Sequence, residues 1–139
     1  MSRNASRTCW ESSPRADNGE TWSDPVPTDF PDAVSKLRSY VLSDGRLTLV
    51  SNPSPDDLKR RLLSIAVSAG PGAPFSTMRK LCFNPDIRPR YDGMHKVPGY
   101  DYPSVLERDG KLLIAYSVCK EDIELAAVEA DRIPNFRRL

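Results

Sequence analysis

Proline is spread through this chain so evenly that long helices have no room. Thirteen of the 139 residues are proline, and they recur from Pro14 to Pro134 instead of gathering in one linker. A proline inside a helix removes a backbone donor and clashes with the preceding turn, so only short segments between turns survive. The clearest of these segments are strands. Asp44-Gly45 lies between SKLRSYVL and RLTLVSN, and Asp109-Gly110 lies between YPSVLE and KLLIAYSV. Asp-Gly between apolar runs predicts a hairpin, because a type I′ turn requires positive φ at both central positions. In RLTLVS, Leu47 and Leu49 alternate with Thr48 and Val50, the pattern of a strand with one better-buried face. KLLIAYSV is apolar almost throughout and predicts a central strand covered on both faces.

The two hairpins resemble each other. Asp44-Gly45-Arg46-Leu47 and Asp109-Gly110-Lys111-Leu112 open equivalent strands 65 residues apart. Between them, RRLLSIAVS and FSTMRKLCF flank the breaker run AGPGAP and read as a further pair of strands. Two segments carry helical signals: SPDDLKRRLLSIAVSAG has an N-cap serine or aspartate and a glycine stop, and KEDIELAAVEADRI spaces Ile123, Ala127 and Ala130 helically. The surrounding β pattern outweighs both. An all-β chain with a repeated hairpin is the signature of a propeller or solenoid.

Composition excludes several classes. Twenty basic and 19 acidic residues give a net charge of +1, which offers no electrostatic footprint for a nucleic acid or an anionic membrane. No apolar run approaches the roughly 18 residues of a membrane span. The start MSRNASRTCWESS lacks an apolar signal region, so a cytoplasmic location is expected. Cys9, Cys82 and Cys119 are odd in number and widely spaced. They predict free thiols, with no disulfide framework and no metal site. No cofactor-binding motif is present either.

Residues 17 to 22 read Asp-Asn-Gly-Glu-Thr-Trp, followed by Ser23. This is most of an Asp-box, S-x-D-x-G-x-T-W, with Arg15 in place of the serine. Asp17 accepts backbone N–H bonds across a tight turn, and Gly19 supplies the positive φ. Thr21 begins the next strand, and Trp22 anchors it on the sheet. These four residues are structural. With LSDGRLTLVSNP and YPSVLERDGKLLIAYSVCKEDIE, this stretch resembles the C-terminal part of sialidase-like proteins of the BNR or Asp-box repeat class. The resemblance runs over roughly residues 13 to 129. It implies a six-bladed β-propeller of four-stranded antiparallel sheets, of which this chain holds two to three blades. Residues 1–12 would be the remnant of a blade, 13–132 the blades, and 133–139 a basic tail. A second, decayed Asp-box falls at Ser68 to Phe75, one blade's length after Trp22.

The resemblance also implies chemistry. Sialidases hold a sugar carboxylate with three arginines, whose guanidinium forks bind it bidentately. Their nucleophile is a tyrosine, a neutral group that avoids repulsion at a carbon bearing a carboxylate, and it needs a glutamate base. Tyr102, just before a Val-Leu strand and an Asp-Gly turn, sits at the nucleophile position; the alternative is a core or turn aromatic. Arg61 matches a carboxylate-binding arginine, although Arg60 beside it confuses the register and a solvated charge fits as well. Arg3 matches a further one by its distance from the Asp-box, against a terminal residue with no role. The family's first arginine, its acid/base aspartate and its glutamate would fall before residue 1, so no turnover is expected from a monomer.

His95 and the arginines of NPDIRPRYDGMHKVPG are read as a solvated loop that could contact a sugar or phosphate. The functional expectation is a sialidase-like glycosidase fragment recognising a sialylated or other acidic glycan. The alternatives are a non-catalytic β module binding carbohydrate or protein, and a truncated product without function of its own. Open blades expose sheet edges, so self-association is expected.

Overall fold

The computed structural model describes residues 20–21, 30–31, 33–53, 59–70 and 72–133. They form two antiparallel sheets and, among the described residues, no α-helix. The first sheet has strands β1 (Arg38–Val41), β2 (Leu47–Ser51), β3 (Leu62–Ser68) and β4 (Phe75–Phe83) in that order. The second has β5 (Tyr100–Arg108), β6 (Lys111–Val118) and β7 (Asp122–Glu129), also in chain order. Both segments with helical signals are strands: RRLLSIAVS supplies β3 after a single 3₁₀ turn at Lys59–Arg61, and DIELAAVE is β7. Burial on both faces outweighs local propensity in β3, whereas β7 is held by its full ladder with β6 and by Ala126 and Val128 against the core.

The two Asp-Gly turns differ. Asp109 and Gly110 both have positive φ, at 51° and 71°, as a type I′ turn requires. At the first hairpin only Gly45 does. There the Gly45 N–H donates to Leu42 O at 2.9 Å and the Leu42 N–H to Arg46 O at 2.8 Å. This is a three-residue loop with glycine in the left-handed position, and it corrects the two-residue reading. The cause is lateral: Glu107 of the second sheet accepts from both the Ser43 N–H (2.7 Å) and the Ser43 hydroxyl (2.9 Å), which holds Ser43 in the loop.

The sheets pack face to face. Val50, Leu63, Ile65 and Val67 of the first meet Val105, Leu112, Ile114 and Tyr116 of the second, all at or below 6% exposure. Strand β1 lies beside β5, with Lys36 reaching Tyr102 at one end and Ser43 reaching Glu107 at the other, so the two run in the same direction. Their burial reverses two expectations. β6 is buried only through Leu112, Ile114 and Tyr116, whereas Leu113, Ala115 and Ser117 are half-exposed, because nothing described covers the outer face of the second sheet. β2 and β3 are the strands covered on both sides. Val50 faces the core, and Leu49 with Ala66 is buried on the other face, where Phe30 meets Phe75 edge to face at 5.4 Å.

The decayed Asp-box joins β3 to β4. The Ser68 hydroxyl stands 2.8 Å from the carbonyls of Gly70 and Ala73 and accepts the Gly70 N–H at 3.3 Å. A serine thus holds the turn that an aspartate would hold. Of the Asp-box at 17–22, Thr21 lies in a bend, while Asp17, Gly19 and Trp22 fall outside the described residues, as does Arg3.

Leu112 is fully buried between the sheets and Leu125 is 66% exposed on the outer face. Leu112→Ala is expected to lower the unfolding free energy by about 2–5 kcal/mol through lost transfer and a residual cavity, and Leu125→Ala by well under 1 kcal/mol. Urea denaturation of both variants checks the difference.

Candidate functional site

Everything distinctive about one end of the sheets converges on the start of β5. The register of β5 on β6 slips between Asp101, opposite Ser117, and Ser104, opposite Ala115. One extra residue is therefore inserted at Tyr102-Pro103. Proline has no N–H for the ladder, which makes this a place where a bulge costs little. Bulges turn side chains out of their regular face. Tyr102 has φ of 52°, rare for a bulky residue, and its ring is 45% exposed.

Such a conformation persists only where the surroundings determine it. Here they do. Asn52, fully buried at the end of β2, donates to Leu62 O at 2.8 Å and Tyr100 O at 3.1 Å, and accepts from the Ser35 hydroxyl at 2.7 Å. Arg60 pairs with the buried Asp101 at 2.6 Å, and the Ser117 hydroxyl donates to Asp101 O at 3.3 Å. The second carboxylate oxygen of Asp101 is buried without a hydrogen-bond partner, so one guanidinium contact carries that charge. Gly99 (φ 136°) packs so tightly on the Arg60 backbone that an added Cβ would collide with it.

Two ammonium groups flank the Tyr102 ring. Lys36 Nζ, from the segment leading into β1, lies 5.4 Å from the ring centroid, and Lys120 Nζ, from the β6–β7 turn, lies 5.7 Å away. Both are within cation–π range. Lys120 is set by its own turn. Cys119 and Lys120 have positive φ, the Cys119 N–H donates to Gly99 O at 2.7 Å, and Lys120 Nζ donates to His95 O at 2.8 Å.

The same turn fastens the 84–99 loop. Glu121, with a side chain only 6% exposed, accepts from Lys96 Nζ at 2.6 Å and from the Arg90 and Tyr91 N–H groups at 2.9 Å. The Lys96 hydrogen bond, followed by these amides, holds its carboxyl at a pKa of about 2. Arg90 also pairs with Asp122 at 2.7 Å. The loop is thus clamped beside Tyr102, with Tyr91 and Met94 exposed.

The arrangement is an exposed phenol ring between two cations, backed by a neutralised ion pair, and it suits an anion attached to an apolar ring. Of the residues named from sequence, Tyr102 stands at its centre. Arg61 is half-buried in the 3₁₀ turn, and its neighbour Arg60 is the one joined to the residue before Tyr102. Lys36, Asn52 and Lys120 were not anticipated. Counting back the hairpin register from Asp109-Gly110 would have placed Lys120 near Tyr102, since Tyr100 pairs with Val118. Lys36 had no such signal, because it arrives from the other sheet.

The family described as the BNR repeat-like domain matches residues 1–114, a span that includes Lys36, Arg60 and Tyr102. No curated protein and no solved structure matches the chain.

Two outcomes follow from this geometry. Gly99→Ala is expected to destabilise the fold by about 2–4 kcal/mol, combining overpacking against the Arg60 backbone with a left-handed φ; guanidinium denaturation measures it. Because the folded Glu121 carboxyl titrates at about 2, against 4.5 ordinarily, its clamp is fully in place above pH 4.5 and is lost as pH falls through about 2. The Arg90 and Tyr91 amide resonances in NMR spectra are expected to follow that midpoint, and Glu121→Gln to abolish the transition.

Proposed function

The chain belongs to the sialidase-like BNR repeat family, and from that premise we propose that its two sheets are consecutive blades of a sialidase-type β-propeller. We further propose that the surface around Tyr102 binds a carboxylated sugar. The blade reading is supported by symmetry between the sheets. The two Asp-Gly-Arg/Lys-Leu hairpins lie 65 residues apart, and the laterally bonded pair Ser43 and Glu107 are 64 apart. Equivalent positions of the two first strands are therefore spatial neighbours running the same way, as the innermost strands of adjacent blades are. The β3–β4 turn, at a decayed Asp-box, falls on the outer side of its sheet.

The sugar reading is carried by one observation: the bulge that holds Tyr102 outward between Lys36 and Lys120. Two ammonium groups attract a carboxylate, and the exposed ring face offers apolar surface for a pyranose. Binding is favoured over turnover. A tyrosine nucleophile needs a carboxylate base at its hydroxyl, and no carboxylate among the described residues hydrogen-bonds to that of Tyr102. A glycan-binding module with sialidase ancestry is the function that this geometry supports best.

Titration with sialyllactose and lactose, followed by NMR or calorimetry, tests the proposal. Sialyllactose is expected to bind and lactose not to, with affinity falling as salt rises. Lys36→Ala and Lys120→Ala are each expected to weaken binding about fivefold, in keeping with one exposed charge contact. Tyr102→Phe should bind almost normally, and a fluorogenic sialoside should show no hydrolysis. Equal affinity for the two sugars, or no binding of either, would sink the proposal.

A further inference from the structure

The end strands β1 and β5 lie against each other, and the two remaining edges among the described residues are long: β4, with nine residues, at the end of the first sheet, and β7, with eight, at the end of the second. Such an edge presents a row of unpaired backbone N–H and C=O groups, a template for another strand. The two edges carry opposite charge. FSTMRKLCF has Arg79 and Lys80 and no acid, whereas DIELAAVE has Asp122, Glu124 and Glu129 and no base.

Most of that charge has no ion-pair partner among the described residues. Neither Arg79 nor Lys80 has a carboxylate partner among the described residues, and Lys80 lies instead over the Phe83 ring at 5.7 Å. On β7, Asp122 is held by Arg90 (2.7 Å) and Glu129 by Lys111 (3.5 Å), which leaves Glu124 with only the Tyr116 hydroxyl at 3.0 Å. Each edge also exposes apolar side chains: Met78 and Phe83 at 40% and 42% on β4, Ile123 and Leu125 at 83% and 66% on β7.

We propose that the β7 edge of one copy of this chain pairs with the β4 edge of a second copy, which adds a basic fourth strand to the three-stranded sheet. Main-chain hydrogen bonds supply affinity in such strand addition, and side chains supply selectivity. Selectivity here is electrostatic. Pairing β7 with β7 sets acids against acids, and pairing β4 with β4 sets bases against bases; like charges across a strand pair are destabilising. Only the mixed pairing sets Glu124 of one copy against a base of the other's β4, where Arg79 and Lys80 present one charge on each face of the strand. The contact is head to tail, so a bound pair keeps one free β4 and one free β7, and assembly continues until a ring closes or a chain grows. It uses neither Tyr102 nor its lysines, and it stands apart from the sugar-binding reading.

Sedimentation velocity of the full chain from about 5 to 500 μM tests this. Species larger than a dimer are expected to grow with concentration and to recede at high salt, where screening shortens charge attraction. Glu124→Lys and Lys80→Glu are each expected to weaken association about tenfold by converting an attraction into a repulsion. The double variant K80E/E124K, which exchanges the charges within one chain, should restore it; near-UV circular dichroism confirms that each variant keeps its fold. A monomer at the highest concentration, association that stops at two copies without closing a ring, or a double variant no better than the singles would overturn the proposal.

Discussion

One buried carboxamide makes the two sheets a single body. Asn52 directly follows β2, yet it bonds to the carbonyl that opens β3, to the first residue of β5 and to the hydroxyl of Ser35 ahead of β1. Its backbone carbonyl accepts the Ala33 N–H at 2.9 Å. A buried amide left without these partners would cost more than its bonds contribute, so the four segments must arrive together or not at all. At the opposite end Arg46 plays the corresponding part. It donates to Ile133 O at 2.8 Å and Ala130 O at 2.9 Å, and Asp44 pairs with it at 2.7 Å. The hydrogen bond from the Arg46 side chain holds the Asp44 carboxyl below its ordinary pKa. Between the two clasps the apolar faces of β2, β3, β5 and β6 close a dry core.

The site inherits its geometry from that first clasp. Because Asn52 and Arg60 fix Tyr100 and Asp101, the extra residue of the bulge falls on Tyr102, and the backbone there takes a left-handed conformation that tyrosine rarely adopts. Fixing Gly99 against Arg60 then fixes Cys119, whose N–H it receives, and so places Lys120 over the ring. The strain is local and the restraints are several, an arrangement common where a side chain must be presented rather than packed. Glu121 extends the same order to the 84–99 loop.

Asymmetry of burial is the second theme. The middle strands of the first sheet are covered on both faces and the second sheet on one, which leaves Leu106, Ile123 and Leu125 at the surface. Among the described residues no element packs on the outer face of the second sheet. The acidic edge of β7 is likewise unpaired among the described residues.

The order of strands was legible in the sequence, because alternating apolar residues, two Asp-Gly pairs and dispersed prolines act over a few residues and admit little else. The Asp-box and the hairpins pointed to the right family, and Tyr102 stood out as a residue of interest. Burial was not legible. RLTLVS looked half-exposed and KLLIAYSV fully covered, and the structure reverses them, since coverage depends on which face meets the other sheet or the segment around Phe30. The turn at Asp44-Gly45 differs from the one at Asp109-Gly110 because Glu107, 64 residues away, holds Ser43. Local chemistry thus determined that this chain is a series of antiparallel strands of sialidase-like descent. Only long-range packing decided that Arg60, Lys36 and Lys120 would gather around a tyrosine turned outward by one extra residue, since those contacts join segments with no pattern in common.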